Sequence, residues 1–380
     1  MGSRAVNISH SESIAISFIR VLAMSLIIAC HFAQAYGNNI AFLLNVGVQL
    51  FFLTSGFLYG KIEIANSWEF YKKRFTKVYV PYIFFVSVIL LLQGLLGTWQ
   101  FNLRDVAIYA LNLQGFISTS VDGLNHLWFL SVLMVCYIIT PSLQRLFKSY
   151  PWWLLATVVA ASIVEFVFVK KMYPICAWVV LYIAGMAYGK YAQPKISLYI
   201  MIAAAVVLTG MLPFFSVDRL VDAAWVHYNV WLHCALAAFI FAAMYYAIPR
   251  IIPETEKLPV LNQIDTISYE VYLVHHPLIM GPLALLTITP FAGLNIAIIL
   301  LTTVALAYVC MYVCMYVATI RRDYDTEDYS LLLVWRQIIT RVGAEMYCFV
   351  EKILAGLRVE VVERRYVRLG YVSVCARSVR

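Results

Sequence analysis

The chain has 380 residues, 63% of them hydrophobic and only 13% charged, with a net charge of +8. That composition excludes an ordinary soluble globular protein. Apolar runs of spanning length recur, so the basic balance reads as the loop charge of a polytopic membrane protein, with no nucleic-acid partner. Eight cysteines do not form a disulfide framework. Six of them, from Cys30 to Cys314, fall in apolar segments and none makes a Cys-x-x-Cys pair, so they read as small buried hydrophobes.

The first span, Ile14–Ala35, contains two ionisable residues, Arg20 and His31. It lacks a small-residue cleavage signal and further spans follow, so it is expected to be a retained helix rather than a signal peptide. Charged groups in a spanning segment are costly and usually face a polar interior. Eleven helical steps bring Arg20 and His31 back to nearly one face, roughly 16 Å apart along the axis. A snorkelling arginine and a hydrogen-bonded histidine would be the plain alternative. On one shared face they favour a lined cavity, in which histidine is the commonest general base.

The second span, Ala41–Gly60, contains the run Gly47 to Leu58, whose Gly, Ser and Thr residues suit close helix packing. Gln49 either belongs to that packing or faces the cavity. A basic run follows, Tyr71 to Tyr82, with Lys72, Lys73, Arg74 and Lys77. It is a cytoplasmic loop by charge alone, and a cluster of cations at a helix start also suits phosphate groups. The third span is Val78–Gly97. The fourth, His126–Phe147, opens on His126 and Trp128, ordinary residues for a membrane boundary and also candidates for an outer-facing cavity with His31.

Further spans are expected at Trp152–Val169, Pro174–Lys190, Ser197–Phe215, Tyr228–Ile248, Ser268–Thr287 and Ala292–Ile320. The ninth contains His275 and His276 before Pro277, and adjacent histidines on a helix point different ways. The expected fold is therefore all-α, a polytopic membrane protein of about ten transmembrane helices. Thirteen loop cations fall on one side and four on the other, which places both termini in the cytoplasm. Residues 1–320 read as one transmembrane domain. Residues 321–380 read as a cytoplasmic tail with an interfacial amphipathic helix and a basic end suited to an anionic leaflet.

The ordered combination of Arg20 and His31, the Gly47–Leu58 segment, the basic run ending at Pro81, His126–Leu130 and Tyr272–Pro277 resembles the membrane acyltransferase 3 family over roughly residues 13–320. Lys77 departs from it, since the family often has arginine there. The resemblance implies a bacterial inner-membrane O-acyltransferase moving an acyl group, most often acetyl from acetyl-CoA, to a hydroxyl of a cell-surface glycan or glycolipid precursor. It implies His31 as general base and Arg20 as a residue that orients the donor or opposes negative charge. Lys72, Lys73, Arg74 and Lys77 become candidate CoA-phosphate contacts, and Gln49, His126, Trp128 and His275 second-rank cavity residues. The bilayer and a carbohydrate-containing acceptor are the expected partners, and no metal is called for. A secondary transporter with an intramembrane Arg/His pathway is the alternative.

Overall fold

The computed structural model describes residues 8–149, 175–191, 223–253 and 258–320. Two expected spans, Trp152–Val169 and Ser197–Phe215, and the tail 321–380 lie outside the described residues. Among the described residues the structure is helical throughout, with no strand. Six helices are long and apolar enough to cross a membrane: His10–Ala35, Ala41–Lys61, Ser67–Leu95, Asn125–Lys148, Trp231–Ile251 and Ala292–Met315. Large apolar side chains such as Leu91 and Leu301 stand exposed. Lipid, not water, is the solvent those side chains suit, and the chain is a multi-pass membrane protein.

The described residues form two compact units. The first runs to Tyr79 and resumes from Gly97 to Pro253. It contains α1 (His10–Ala35), α2 (Ala41–Leu44), α3 (Val46–Lys61), the start of α4 (Ser67–Leu95), α5 (Leu103–Ala110), α6 (Trp128–Ser149), α7 (Ile175–Tyr191) and α8 (Ala223–Ile251). The second holds the rest of α4 with α9 (Pro259–Thr266), α10 (Ser268–Ile279) and α11 (Ala292–Ile320).

The first unit is organised around α3 and α7. A Cβ added at Gly56 or Gly60 would run into the carbonyls of Tyr182 or Met186, and one at Gly185 or Gly189 into those of Leu53 or Phe57. Each helix thus carries a Gly-x-x-x-Gly pair, and the two pairs face each other. Small residues at that spacing let two backbones approach closely, a main route to helix association where water supplies no hydrophobic drive. The register advances in the same sense on both helices, so they run parallel. On another side of α3, Gly47 meets the Ala23 carbonyl and Ile27 of α1.

α6 also runs along this pair. Its Trp128 packs against Trp178, its Thr140 bonds Tyr182 and its Phe147 contacts Tyr191, in ascending order. α1 runs the opposite way. A capping box starts it, with Ser9 Oγ accepting from the Glu12 amide (3.2 Å) and Glu12 accepting from the Ser9 amide (3.0 Å). The same Glu12 accepts from the Tyr245 hydroxyl of α8 and pairs with Lys61 of α3 at 3.4 Å. The charged ends of several helices consequently gather at one end of the unit: Lys61 of α3, Arg145 and Lys148 of α6, Lys190 of α7 and Arg250 of α8.

In the second unit α10 packs on α11, and Phe84 of α4 joins Val309 and Tyr312 around the buried Val313. Here the structure corrects one expected span. Ser268–Thr287 is not a continuous helix, because α10 stops at Ile279 after 12 residues. That is about 18 Å of helix, well short of a hydrocarbon layer. Gly281 takes a left-handed φ of 103° and Pro282 has no amide hydrogen to donate, so the apolar run turns instead of continuing. The other described expected spans have helices at their positions, including the 17-residue α7 at Pro174–Lys190.

The glycine contacts set an expectation. Gly185→Leu should force α3 and α7 apart and destabilise the protein by about 3 kcal/mol or more. Gly94→Ala, where a Cβ meets nothing within 4 Å, should be neutral or stabilising by about 0.4–1 kcal/mol. Thermal unfolding midpoints in detergent distinguish the two.

Candidate active site

α1 is unbroken between Arg20 and His31. Eleven residues of straight helix therefore hold the two side chains within about 20° of one face and roughly 16 Å apart. Both are half-buried and both make interactions within the protein. Their face flanks the seam where Ala23 and Ile27 meet Gly47 of α3. Glu12 marks the charged end of α1, so His31 stands about 28 Å along the axis from that end, with Arg20 between. The helix ends at Ala35, and its last turn is tied down when Cys30 Sγ bonds the Ala41 carbonyl at 3.3 Å.

The basic run lies in the first turns of α4. Lys72, Lys73 and Lys77 are exposed, whereas Arg74 is half-buried. The Arg74 guanidinium stands 5.1 Å from the Tyr59 ring centre and 5.9 Å from that of Phe70. The two rings are nearly perpendicular, so they form a corner around it. This segment is anchored by Tyr71, whose hydroxyl donates to the Ile138 carbonyl at 2.9 Å, and by Tyr79, which donates to Ala110.

His126 sits in a buried 3-10 turn, Asn125–Leu127, immediately before α6. A polar loop fixes that turn. Gln114 donates to the Leu127 carbonyl (2.9 Å) and to Asn112 Oδ1 (2.7 Å), and Asn112 donates in turn to the Leu130 carbonyl (3.3 Å). Asn112 adopts φ 54°, a left-handed conformation that asparagine tolerates better than most residues. Trp128 lies 4.2 Å from Trp178, ring centre to ring centre, and Phe129 lies 4.8 Å from Phe52. Gln49 lies one turn before Leu53 on the α7-facing stripe of α3. It is 1% exposed, and its Oε1 has no hydrogen bond among the described residues. The structure thus links Trp128 with the Gln49 stretch of α3, and Arg74 with its far end.

His275 belongs to the second unit, fully buried in α10. Its Nδ1 faces the Tyr272 carbonyl at 2.8 Å and the Val271 carbonyl at 3.2 Å. Both partners accept only, so Nδ1 carries a hydrogen and donates to them. His276 is buried beside it, its ring nearly perpendicular.

Several residues escaped the sequence reading. Glu12 joins three helices, and the Ser9-x-x-Glu12 capping pattern would have drawn attention to it. The Gly56/Gly60 and Gly185/Gly189 spacings likewise pointed to a paired seam. His233 had no such signal. Its two ring nitrogens each face a carbonyl oxygen, Asn229 at 2.7 Å and Phe42 at 2.6 Å, so it fastens α2 to α8. Tyr59, Tyr137 and Tyr182 looked like three aromatics in apolar runs, yet all are buried with hydrogen-bonded hydroxyls.

The architecture is that of an all-helical, multi-pass membrane protein with an arginine and a histidine on one face of its first span. A family model for an acyltransferase domain, that of acyltransferase 3, matches residues 13–319. The chain belongs to that family and is a membrane acyltransferase. No curated protein and no solved structure matches it.

Asn112 tests how the His126 turn is held. Asn112→Ala should lower stability by about 1–3 kcal/mol, through a left-handed backbone and lost hydrogen bonds. Asn112→Gly should recover the backbone part alone. Equal midpoints for both variants and the parent would show that the loop does not support the turn.

Proposed function

We propose that the protein transfers acetyl from acetyl-CoA to a hydroxyl of a cell-surface glycan or glycolipid precursor, in the inner membrane of a bacterium. The observation that carries this reading is the Arg20/His31 face on an unbroken first helix, in a chain of the acyltransferase 3 family. In the reaction, the acceptor oxygen attacks the thioester carbonyl carbon and the carbon–sulfur bond breaks. His31 takes the hydroxyl proton as the new bond forms and returns it to the departing CoA thiolate. Arg20, about 16 Å from His31 along the helix, orients the donor at a distance from the reacting carbon. Lys72, Lys73, Arg74 and Lys77 meet the donor phosphates from the cytoplasm, and Gln49, His126 and Trp128 of the first unit line the path of the reactants.

This reading takes ten spans with both termini cytoplasmic, which the loop charges favour. The segment 321–380 is then a cytoplasmic tail lying on the anionic leaflet. An impermeant thiol reagent should label a cysteine at position 104 from outside in a cysteine-free variant, and one at position 72 only after the membrane is opened. Outside labelling at position 72 would reverse the topology.

The reaction itself is tested by release of free CoA from acetyl-CoA, using purified protein and acceptor. His31→Ala should lower turnover by about 10²–10⁴-fold while donor binding survives. Near-normal turnover at saturating substrates would remove His31 from the mechanism. Substrate flux across vesicles without any CoA release would point to a transport pathway instead.

A further inference from the structure

Of the cations in the basic run, Arg74 alone is set into the protein, while Lys72, Lys73 and Lys77 are exposed. Its Nε is buried and makes no hydrogen bond among the described residues, and its guanidinium meets ring faces. With Nε buried, the guanidinium can present only its two terminal nitrogens, and the rings restrain the plane in which they lie. That is the arrangement a planar fork needs to grip two oxygens of one phosphate. The lysines are point charges on flexible stems and supply attraction without direction.

The ring that holds Arg74 is itself fixed with unusual care. Tyr59 is buried, and its ring stands edge-on to Phe70 at 5.4 Å and to Tyr137 at 5.5 Å. Its hydroxyl is hydrogen-bonded to that of Tyr137, which also bonds Ser55. Behind it, Thr140 gives its one hydroxyl hydrogen to the Cys136 carbonyl (2.7 Å), so Tyr182 must be the donor in the 2.6 Å bond between Thr140 and Tyr182. The main chain is pinned as well. Gln144 donates to the Tyr59 and Ile62 carbonyls at 2.7 Å each and accepts from the Ile64 amide at 3.1 Å. Phenylalanine would fill the core with the same ring, so what the hydroxyls add is a hydrogen-bonded network that fixes the ring orientations.

We propose that Tyr59 and Tyr137 are positioning residues that hold the Arg74 guanidinium in the plane required to bind one phosphate group of the acyl donor bidentately. The inference rests on the acyl-CoA reading above. It adds that Arg74 differs in kind from the neighbouring lysines, and that α3 and α6 set its donor affinity.

The test is a double-mutant cycle between Arg74→Lys and Tyr137→Phe on the full chain in neutral detergent. Free CoA binding is measured beside KM for acetyl-CoA, KM for acceptor and kcat. Tyr137→Phe should raise donor KM about 3- to 10-fold, the scale of one lost hydrogen bond. The kcat and the acceptor KM should stay unchanged. Arg74→Lys should raise donor KM further, and the double variant should be no worse than Arg74→Lys alone, because the tyrosine acts through the arginine. Tyr59→Leu should match Arg74→Lys if it folds; if it does not, the cycle decides.

Additive losses in the double variant, or a fall in kcat with donor KM unchanged, would overturn the inference. Unchanged donor affinity with loss of co-purified anionic lipid would also overturn it, and would assign the guanidinium to a headgroup phosphate. Failure of the parent protein to bind CoA at all would instead sink the acyl-CoA reading, an outcome distinct from each of these.

Discussion

The backbone contact between α3 and α7 is the constraint on which the first unit depends. In lipid, two apolar helices gain little from burying side chains against each other, because the hydrocarbon is as apolar as leucine. Close approach of backbones restores a gain, since it multiplies dispersion contacts that lipid tails make less well. Gly56 and Gly60 on one helix and Gly185 and Gly189 on the other remove the side chains that would prevent it. With that seam set, Phe52 meets Trp178 near one end and Tyr59 meets Tyr182 near the other. α6 joins both, and α1 is held by Gly47 on another side of α3. The positions of Trp128, Arg74 and the Arg20/His31 helix all descend from this arrangement.

Polar chemistry is confined by the same geometry. Glu12 collects Lys61, Tyr245 and the first turn of α1, so one carboxylate aligns the charged ends of α1, α3 and α8. At the opposite end of α1, His233 bridges α2 to α8 through two carbonyls, and Cys30 ties α1 to α2. α1 is thus pinned at both ends while its middle carries Arg20. A helix restrained in this way keeps the angular relation between Arg20 and His31 fixed.

Cations in and around the membrane behave in three different ways here. The exposed lysines of the α4 start are solvated and serve long-range attraction, which salt screens. Lys61, with about a quarter of its side chain exposed, pairs with Glu12 and stabilises the bundle. Arg74 is neither, for its guanidinium lies against aromatic faces and its buried Nε makes no hydrogen bond among the described residues. Net charge alone does not separate these roles; burial and the chemistry of the nearest surface do.

Whatever depends on neighbours along the chain was legible in the order of the amino acids. Apolar runs are long enough to name most of the spans, because the length of a helix against the hydrocarbon thickness is a local property. Arg20 and His31 share a face because eleven residues of helix impose it, and the family followed from the order of its motifs. Even the end of α10 was written locally in Gly281 and Pro282, though an apolar run of spanning length concealed it. The tertiary structure alone decided which helix meets which. That Gly56 and Gly60 face Gly185 and Gly189, that Arg74 lies against Tyr59, and that His233 reaches the Phe42 carbonyl are pairings between residues distant in sequence. No periodicity records them, because in lipid every apolar face is an acceptable surface, and only shape and unsatisfied polar groups choose among the possible partners.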